Sequence, residues 1–463
     1  MAAIIAATLG ATGARAQSAQ NITATGLVSG LSVLPNTNVG IADLNANLAT
    51  ALAINNGATP DQQRRAIIDN TITSSNGVAL ADAFGSRLGA IYRAASPTSA
   101  IDPGPATIGP TSQSSFSPNV LQLIRQANAV SGSDSAFAKN YLANGTVSGS
   151  LTTYVGPQYL PTGGVFGAYD RIYDPPVGAN TVGNARPGQV RLDQTASFTQ
   201  PNFFGVPANN TTDILPTVRT NAAYPSGHTT FAQTTAILFA QLVPKRFQEA
   251  VARGSEYGNS RVVLAVHYPM DVIAGRILAT YDLVQLLNNN PQYLNYAVSS
   301  SLTTTSDFQA LFNAARSDLT GLFTSQCGTT IAVCAASGAP DRFADKAKTK
   351  ADYTYRLTYG FAPVGPTDLA PVVPVGAEIL LATRFPYLTA AQRRDVLATT
   401  EIASGRPLDD GSGYARLNLF TAADGYGAFN DAVTVTMDAA QGGVSALDSF
   451  NNDIGGRGSL TKA

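Results

Sequence analysis

Apolar residues recur at helical spacing through much of this chain. Ile41, Leu44, Leu48, Ala51 and Leu52 return every three to four positions within a stretch from 38 to 94 that reads as helices. Thr59-Pro60-Asp61 has the form of a helix start with proline in the first turn. Val120, Leu121 and Ile124 mark the apolar face of a helix expected over 118 to 128, and another is expected over 133 to 143. Helical patterning resumes at Ser226 and runs to about 288 with breaks near Pro244 and Pro269. Phe308, Leu311, Phe312, Ala315 and Leu319 predict one more helix over 306 to 323.

Two stretches lack any such period. Pro103 to Pro118 is a linker rich in Pro, Ser and Gly. The segment from 144 to 225, dense in Gly, Pro, Asn and Tyr, is expected to be a long ordered excursion, and loops of that length are usually functional. Beyond Cys334 the chain turns polar from Ser337 to Lys350 and Pro-punctuated from Pro363 to Pro374, which puts a domain boundary near 340. Thr389 is set to cap a helix that follows it. Asp409-Asp410-Gly411-Ser412-Gly413 lacks the alternating oxygen ligands and terminal Glu of a calcium loop and reads as a turn. Val433 to Ala463 alternates polar and apolar residues between glycines and resembles, over about one repeat, the glycine-rich β-helix repeats of autotransporter passengers.

The expected organisation is a signal peptide over 1–16, a helical domain over 17–340, an accessory region over 341–432 and a β-rich tail over 433–463. The leader rests on the small apolar run from Ala2 to Ala11 followed by Ala14-Arg15-Ala16, a small-x-small cleavage pattern, so export to the periplasm, the cell surface or the medium is expected. No later run of about 18 apolar residues predicts a membrane-spanning helix. Charged residues make up 13% of the chain and the net charge is −1, too little field to attract nucleic acid. The two cysteines, Cys327 and Cys334, are close enough in sequence to close a small disulfide loop in an oxidising compartment, and two ligands do not make a zinc site.

The chain has two histidines, and each sits in a chemically suggestive neighbourhood. In Tyr224-Pro225-Ser226-Gly227-His228, Ser226 can cap the helix that follows, so the backbone N–H groups near Gly227 and His228 emerge from a helix N-terminus, where an anion is favoured. In Ser260-Arg261 through His267 to Asp271, the six-residue spacing of Arg261 and His267 is about 240° on a continuous helix. Pro269 resolves this. It drives the preceding residue out of the helical region, ends the first helix near His267 and starts a second. Asp271, in the first turn of that second helix, is placed to accept a hydrogen bond from one imidazole nitrogen and leave the other free to attack.

Pro225-Ser226-Gly227-His228, then Ser260-Arg261, five residues, His267, three residues and Asp271 resemble the second and third signature motifs of the type-2 phosphatidic-acid-phosphatase superfamily, which includes bacterial acid phosphatases, lipid phosphatases and vanadium haloperoxidases. Arg186-Pro187 resembles the end of the first motif, with Ala179 where the family has lysine. The resemblance implies a mainly α fold, a helical bundle with the site at one end. It implies His267 as nucleophile, His228 as proton donor and Asp271 as orienting group, with Arg186, Arg261, Ser226 and Gly227 binding phosphate. The implied activity is metal-independent hydrolysis of a small phosphorylated substrate through a phosphohistidine, with no cofactor. Two other readings stay open: a haloperoxidase holding vanadate in the same cage, and a surface interaction module whose phosphatase-like domain is degenerate.

Overall fold

The computed structural model describes residues 19–70, 77–96, 116–144, 186–190, 222–294, 305–338 and 341–424, and the backbone alone of 433–437 and 458–462. The signal-peptide residues, Ala179 and most of the 144–225 excursion lie outside the described residues. The architecture is mainly α: α1 (Ala19–Leu27), α2 (Asn38–Asn56), α3 (Pro60–Asn70), α4 (Ser86–Ala95) and α5 (Pro118–Asn144) precede a short α6 (Pro187–Val190). Then come α7 (Gly227–Leu242), α8 (Phe247–Val263), α9 (Pro269–Leu287), α10 (Pro291–Leu294), α11 (Phe308–Cys327) and α12 (Ile331–Ala335). The accessory region adds α13 (Lys346–Thr358), α14 (Ala390–Thr400) and α15 (Leu419–Ala422). The strands β1 (Val433–Met437) and β2 (Gly458–Lys462) pair antiparallel, Val433 opposite Lys462.

At the centre, α7 packs against α5, α8 and α9, and it is buried from Thr229 to Leu242 apart from Phe231. A helix buried on all sides must satisfy its polar side chains internally. It does so on α5: Asn128 donates to Thr235 Oγ1 at 3.0 Å and Thr234 donates to Ser131 Oγ at 3.0 Å. The α5 helix is one continuous element rather than the expected pair. Its Gly132 marks a close approach and not a break, because a Cβ there would lie 2.6 Å from the Phe231 ring.

The link between α8 and α9 also differs from expectation. α8 stops at Val263, four residues before His267, because Ala265 adopts a left-handed φ of 53° and the N–H groups of Val266 and His267 both turn back to the Arg261 carbonyl. Pro269 then occupies the first turn of α9.

Across position 340 the apolar core is continuous: Phe343, Tyr353, Phe385, Leu397 and Phe420 belong to the same buried cluster as Phe239 and Leu278. Thr389 caps α14 by accepting from Gln392 N–H. Asp409 is spent locally, accepting from Gly405 N–H and from Arg416 Nε at 2.9 Å each, which makes its segment a fastened turn. Cys327 and Cys334 form a disulfide between the end of α11 and α12, with a Cα–Cα distance of 6.0 Å. Among the described residues no helix is long and apolar enough to cross a membrane.

Candidate active site

The first helix of the site begins at Ser226, whose hydroxyl accepts from Thr229 N–H at 3.3 Å and caps α7. Ser226 is itself tethered to the third motif, because its N–H donates to the Asp271 carbonyl at 3.0 Å. That approach needs a small residue on α9, and a Cβ on Gly275 would stand 2.7 Å from the Ser226 carbonyl oxygen. The N-terminus of α7, with Gly227 and His228 in its first turn, is thereby locked beside the start of α9.

His267 lies in the turn ahead of α9 with both ring nitrogens engaged. Nδ1 is 3.1 Å from Asp271 Oδ2, and the same oxygen accepts Tyr268 N–H at 2.9 Å. Nε2 is 3.1 Å from Arg186 Nη1. Since a guanidinium only donates, Nε2 is the acceptor and Nδ1 carries the proton toward the carboxylate. The lone pair of Nε2 therefore points into the arginine side of the site.

Arg186 is anchored by its second contacts: Nη1 donates to the Val266 carbonyl at 2.6 Å and Nη2 to the Ala222 carbonyl at 3.4 Å. The adjacent Gly188 N–H donates to the Ala265 carbonyl at 2.9 Å, so α6 is fixed to the His267 turn by backbone as well. Arg261 is fully buried, donates through Nη1 to Asn70 Oδ1 at 2.8 Å, and has no hydrogen-bond partner for Nε among the described residues.

These groups act on one another's protonation. Burial first, then Arg261, Arg186 and Lys139, hold the His228 imidazole well below the ordinary histidine value. Burial, then Arg186, Lys139, Arg261 and His228, do the same to His267. Burial pushes the Asp271 carboxyl upward, against the lowering pull of Tyr268 N–H, Lys139 and Arg186. Burial also brings Arg261 down to about 10, which leaves it charged at neutral pH.

The structure therefore brings Arg186, Ser226, Gly227, His228, Arg261, His267 and Asp271 into one site. Two groups in that neighbourhood escaped the reading of the sequence: Asn70, which holds Arg261, and Lys139, which comes from α5 far from any motif. The available signal for Lys139 was a polar stripe, Asn128, Ser131, Ser135 and Lys139, at helical spacing along α5. Arg406, of the second Arg-Pro pair, lies elsewhere and donates to the Phe361 carbonyl at 2.7 Å.

A separate cavity of about 670 Å³ opens beside α3 and α8, lined by Arg65, Asp82, Glu256 and Arg342 among others. Its charges are largely paired with each other: Arg342 bonds Glu256, and Arg65 lies 3.3 Å from Asp82. Neither histidine lines it.

Residues 177–288 match the PAP2 superfamily. The non-specific acid phosphatase of Salmonella typhimurium is 40% identical over 70 residues, 15% of this chain and 28% of that protein. The non-specific acid phosphatase of Providencia stuartii is 36% identical over 91 residues, 20% of this chain and 36% of that protein. The acid phosphatase of Zymomonas mobilis is 39% identical over 64 residues, 14% of this chain and 24% of that protein. The matched segment thus spans about a quarter to a third of the length of these relatives.

Proposed function

We propose that this chain, which carries a PAP2 superfamily domain at residues 177–288, is a metal-independent phosphomonoester hydrolase acting through a phosphohistidine on His267. The observation that carries this reading is the two-sided hold on His267: Asp271 fixes the Nδ1 proton, and Nε2 faces the arginine that would grip a phosphate oxygen.

On substrate binding, Arg186 exchanges its contact with Nε2 for the phosphoryl oxygens. Arg261, whose buried Nε–H has no partner among the described residues, offers them a further donor. The N–H groups at the start of α7 add a helix-terminus contribution. Nε2 attacks phosphorus in line; the N–P bond forms as the P–O ester bond breaks, and His228 gives its proton to the leaving oxygen. Asp271 stabilises the charge that develops on the imidazole. Water deprotonated by His228 then attacks phosphorus, the N–P bond breaks and phosphate leaves.

The low pKa of both histidines fits this sequence. Burial and the cations beside His267 favour its unprotonated, nucleophilic form, while a phosphate dianion offsets the three cations that depress His228 and lets it take up the proton it must donate. The charge on the equatorial oxygens is met by side-chain cations and backbone dipoles, so the scheme calls for no divalent metal. The Cys327–Cys334 disulfide accords with an exported protein.

Hydrolysis of p-nitrophenyl phosphate in EDTA by the purified protein and by His267→Ala tests the reading. Turnover that vanadate inhibits and the variant lacks is expected, together with an acid-labile phosphoenzyme. A wild-type protein with no phosphatase turnover would refute it, and halide oxidation by the vanadate-loaded protein would then identify the haloperoxidase reading.

A further inference from the structure

The α5 helix runs alongside the central α7 helix and presents to it a ladder of polar side chains. Asn128 and Ser131 bond to Thr235 and Thr234 of α7. One turn further, Ser135 is 1% exposed, and its Oγ has no hydrogen-bond partner among the described residues. It lies 3.5 Å from where a Cβ of Gly227 would be, at the very N-terminus of α7. The next rung is Lys139. Its Nζ donates to three carbonyls of one short segment, those of Ala222 at 2.6 Å, Ala223 at 3.1 Å and Pro225 at 2.7 Å.

That segment enters α7 and holds the site together. Ala222 also accepts from Arg186 Nη2, and Pro225 immediately precedes the Ser226 cap whose N–H is tied to the Asp271 carbonyl. All three donors of the ammonium are spent on the 222–225 backbone, so Lys139 does not bind an anion by direct contact in this arrangement. Burial and then Arg186 push the Lys139 pKa well below the ordinary lysine value and Asp271 pulls it back up. The three carbonyls around Nζ favour the ammonium form, whose charge acts on Arg186, His228, His267 and Asp271.

We propose that Lys139 is a positioning residue of this site: by gathering the 222–225 carbonyls it aims the α7 N-terminus and Arg186 at His267, and it supplies from α5 a half-buried positive charge to the anion cage. An ammonium group reaches the cage in this way although position 179 holds alanine. The inference rests on the phosphatase reading above.

Three variants test the proposal. Lys139→Arg keeps both charge and donors, Lys139→Gln keeps donors without charge, and Lys139→Met keeps neither. The groups that face Lys139 and set the pH response are Arg186, His228, His267 and Asp271, with Arg261 and Tyr224 near them. Removing a cation next to His267 raises the pKa of that nucleophile. The acid limb of kcat/KM for p-nitrophenyl phosphate is therefore expected to move upward by half a pH unit or more in both Lys139→Gln and Lys139→Met, with KM rising at least fivefold. Lys139→Arg should recover most of both effects.

A general loosening of the fold would lower kcat without moving the limb in that direction. An unmoved limb and KM in a folded Lys139→Gln, or a Lys139→Arg no better than Lys139→Met, would overturn the proposal. Were Lys139→Met to fail to fold, Lys139→Gln against Lys139→Arg still decides it. Loss of turnover in the wild type would instead refute the phosphatase reading. The inference would then be read from calorimetric titration of inorganic vanadate, where at least fivefold weaker binding to folded Lys139→Gln is expected and equal affinity would overturn it.

Discussion

Asp271→Asn isolates one charge with little change of shape. In the wild type Oδ2 accepts both Tyr268 N–H at 2.9 Å and His267 Nδ1–H at 3.1 Å. An asparagine oxygen can accept the same two bonds, so the start of α9 and the orientation of the ring are retained; at pH above about 7, the value to which burial raises the Asp271 carboxyl, the negative charge alone is lost. Phosphoryl transfer places positive charge on the imidazole. At about 4 Å between charge centres and an effective dielectric of about 20, a full unit charge is stabilised by about 4 kcal/mol. Only part of that charge has developed at the transition state, so about 2–3 kcal/mol is forfeited, roughly 30- to 150-fold in kcat. KM should stay level or fall, since a negative charge has left an anion site. Steady-state hydrolysis of p-nitrophenyl phosphate in EDTA, with circular dichroism as a check on folding, measures both. A kcat within threefold of wild type would refute the claim that the Asp271 charge stabilises the phosphorylated histidine.

Two further substitutions probe the scaffold. Gly275→Ala places a methyl 2.7 Å from the Ser226 carbonyl oxygen and 3.0 Å from Thr229 Cβ, so urea denaturation should show a loss of about 1–3 kcal/mol. Because the displaced group is the α7 cap, kcat/KM should fall at least tenfold, and wild-type values for both would show that the two helices separate without consequence. Asp282 is fully buried with its carboxyl against that of Asp134, and burial and then Asp134, through its charge and a shared hydrogen bond, raise its pKa well above the ordinary carboxylate range. The folded state therefore binds a proton that the unfolded state has released, so stability is fully present below the unfolded value near 4 and is lost as pH rises through the folded value. Asp282→Asn should raise stability at pH 7 by about 1–3 kcal/mol and flatten its decline between pH 5 and 8. An unchanged slope in denaturation series across that range would show that Asp282 does not hold the proton.

Much of the site was legible because its chemistry is carried by residues whose local context is encoded locally. Pro225, Ser226 and Pro269 set helix starts through their own backbone and capping preferences, so the placement of His228 after one cap and of Asp271 in the first turn of α9 could be read directly. The end of α8 could not. Pro269 signals a break but does not say where it falls, and the left-handed conformation of Ala265 is imposed by the carbonyl of Arg261 gathering two N–H groups and by Gly188 docking on Ala265. The expected gap within α5 failed for a similar reason: a glycine flanked by serines resembles a break, yet Gly132 is where Phe231 presses against the helix. Composition could not distinguish the two.

By itself, then, the sequence determined the helical character, the helix starts at the site and the identities of the two histidines, Arg186, Arg261 and Asp271 that resemble the family's motifs, because caps, prolines and apolar periods act over a few residues. Tertiary structure alone decided that Arg186 faces His267 Nε2, that Asn70 holds Arg261, and that Lys139 ties down the entry to α7. Those contacts join residues 81, 191 and 86 positions apart. No local preference specifies such pairs. They form when the buried faces of α5, α7, α8 and α9 find their common core, and the polar groups carried inward by that packing must then satisfy one another.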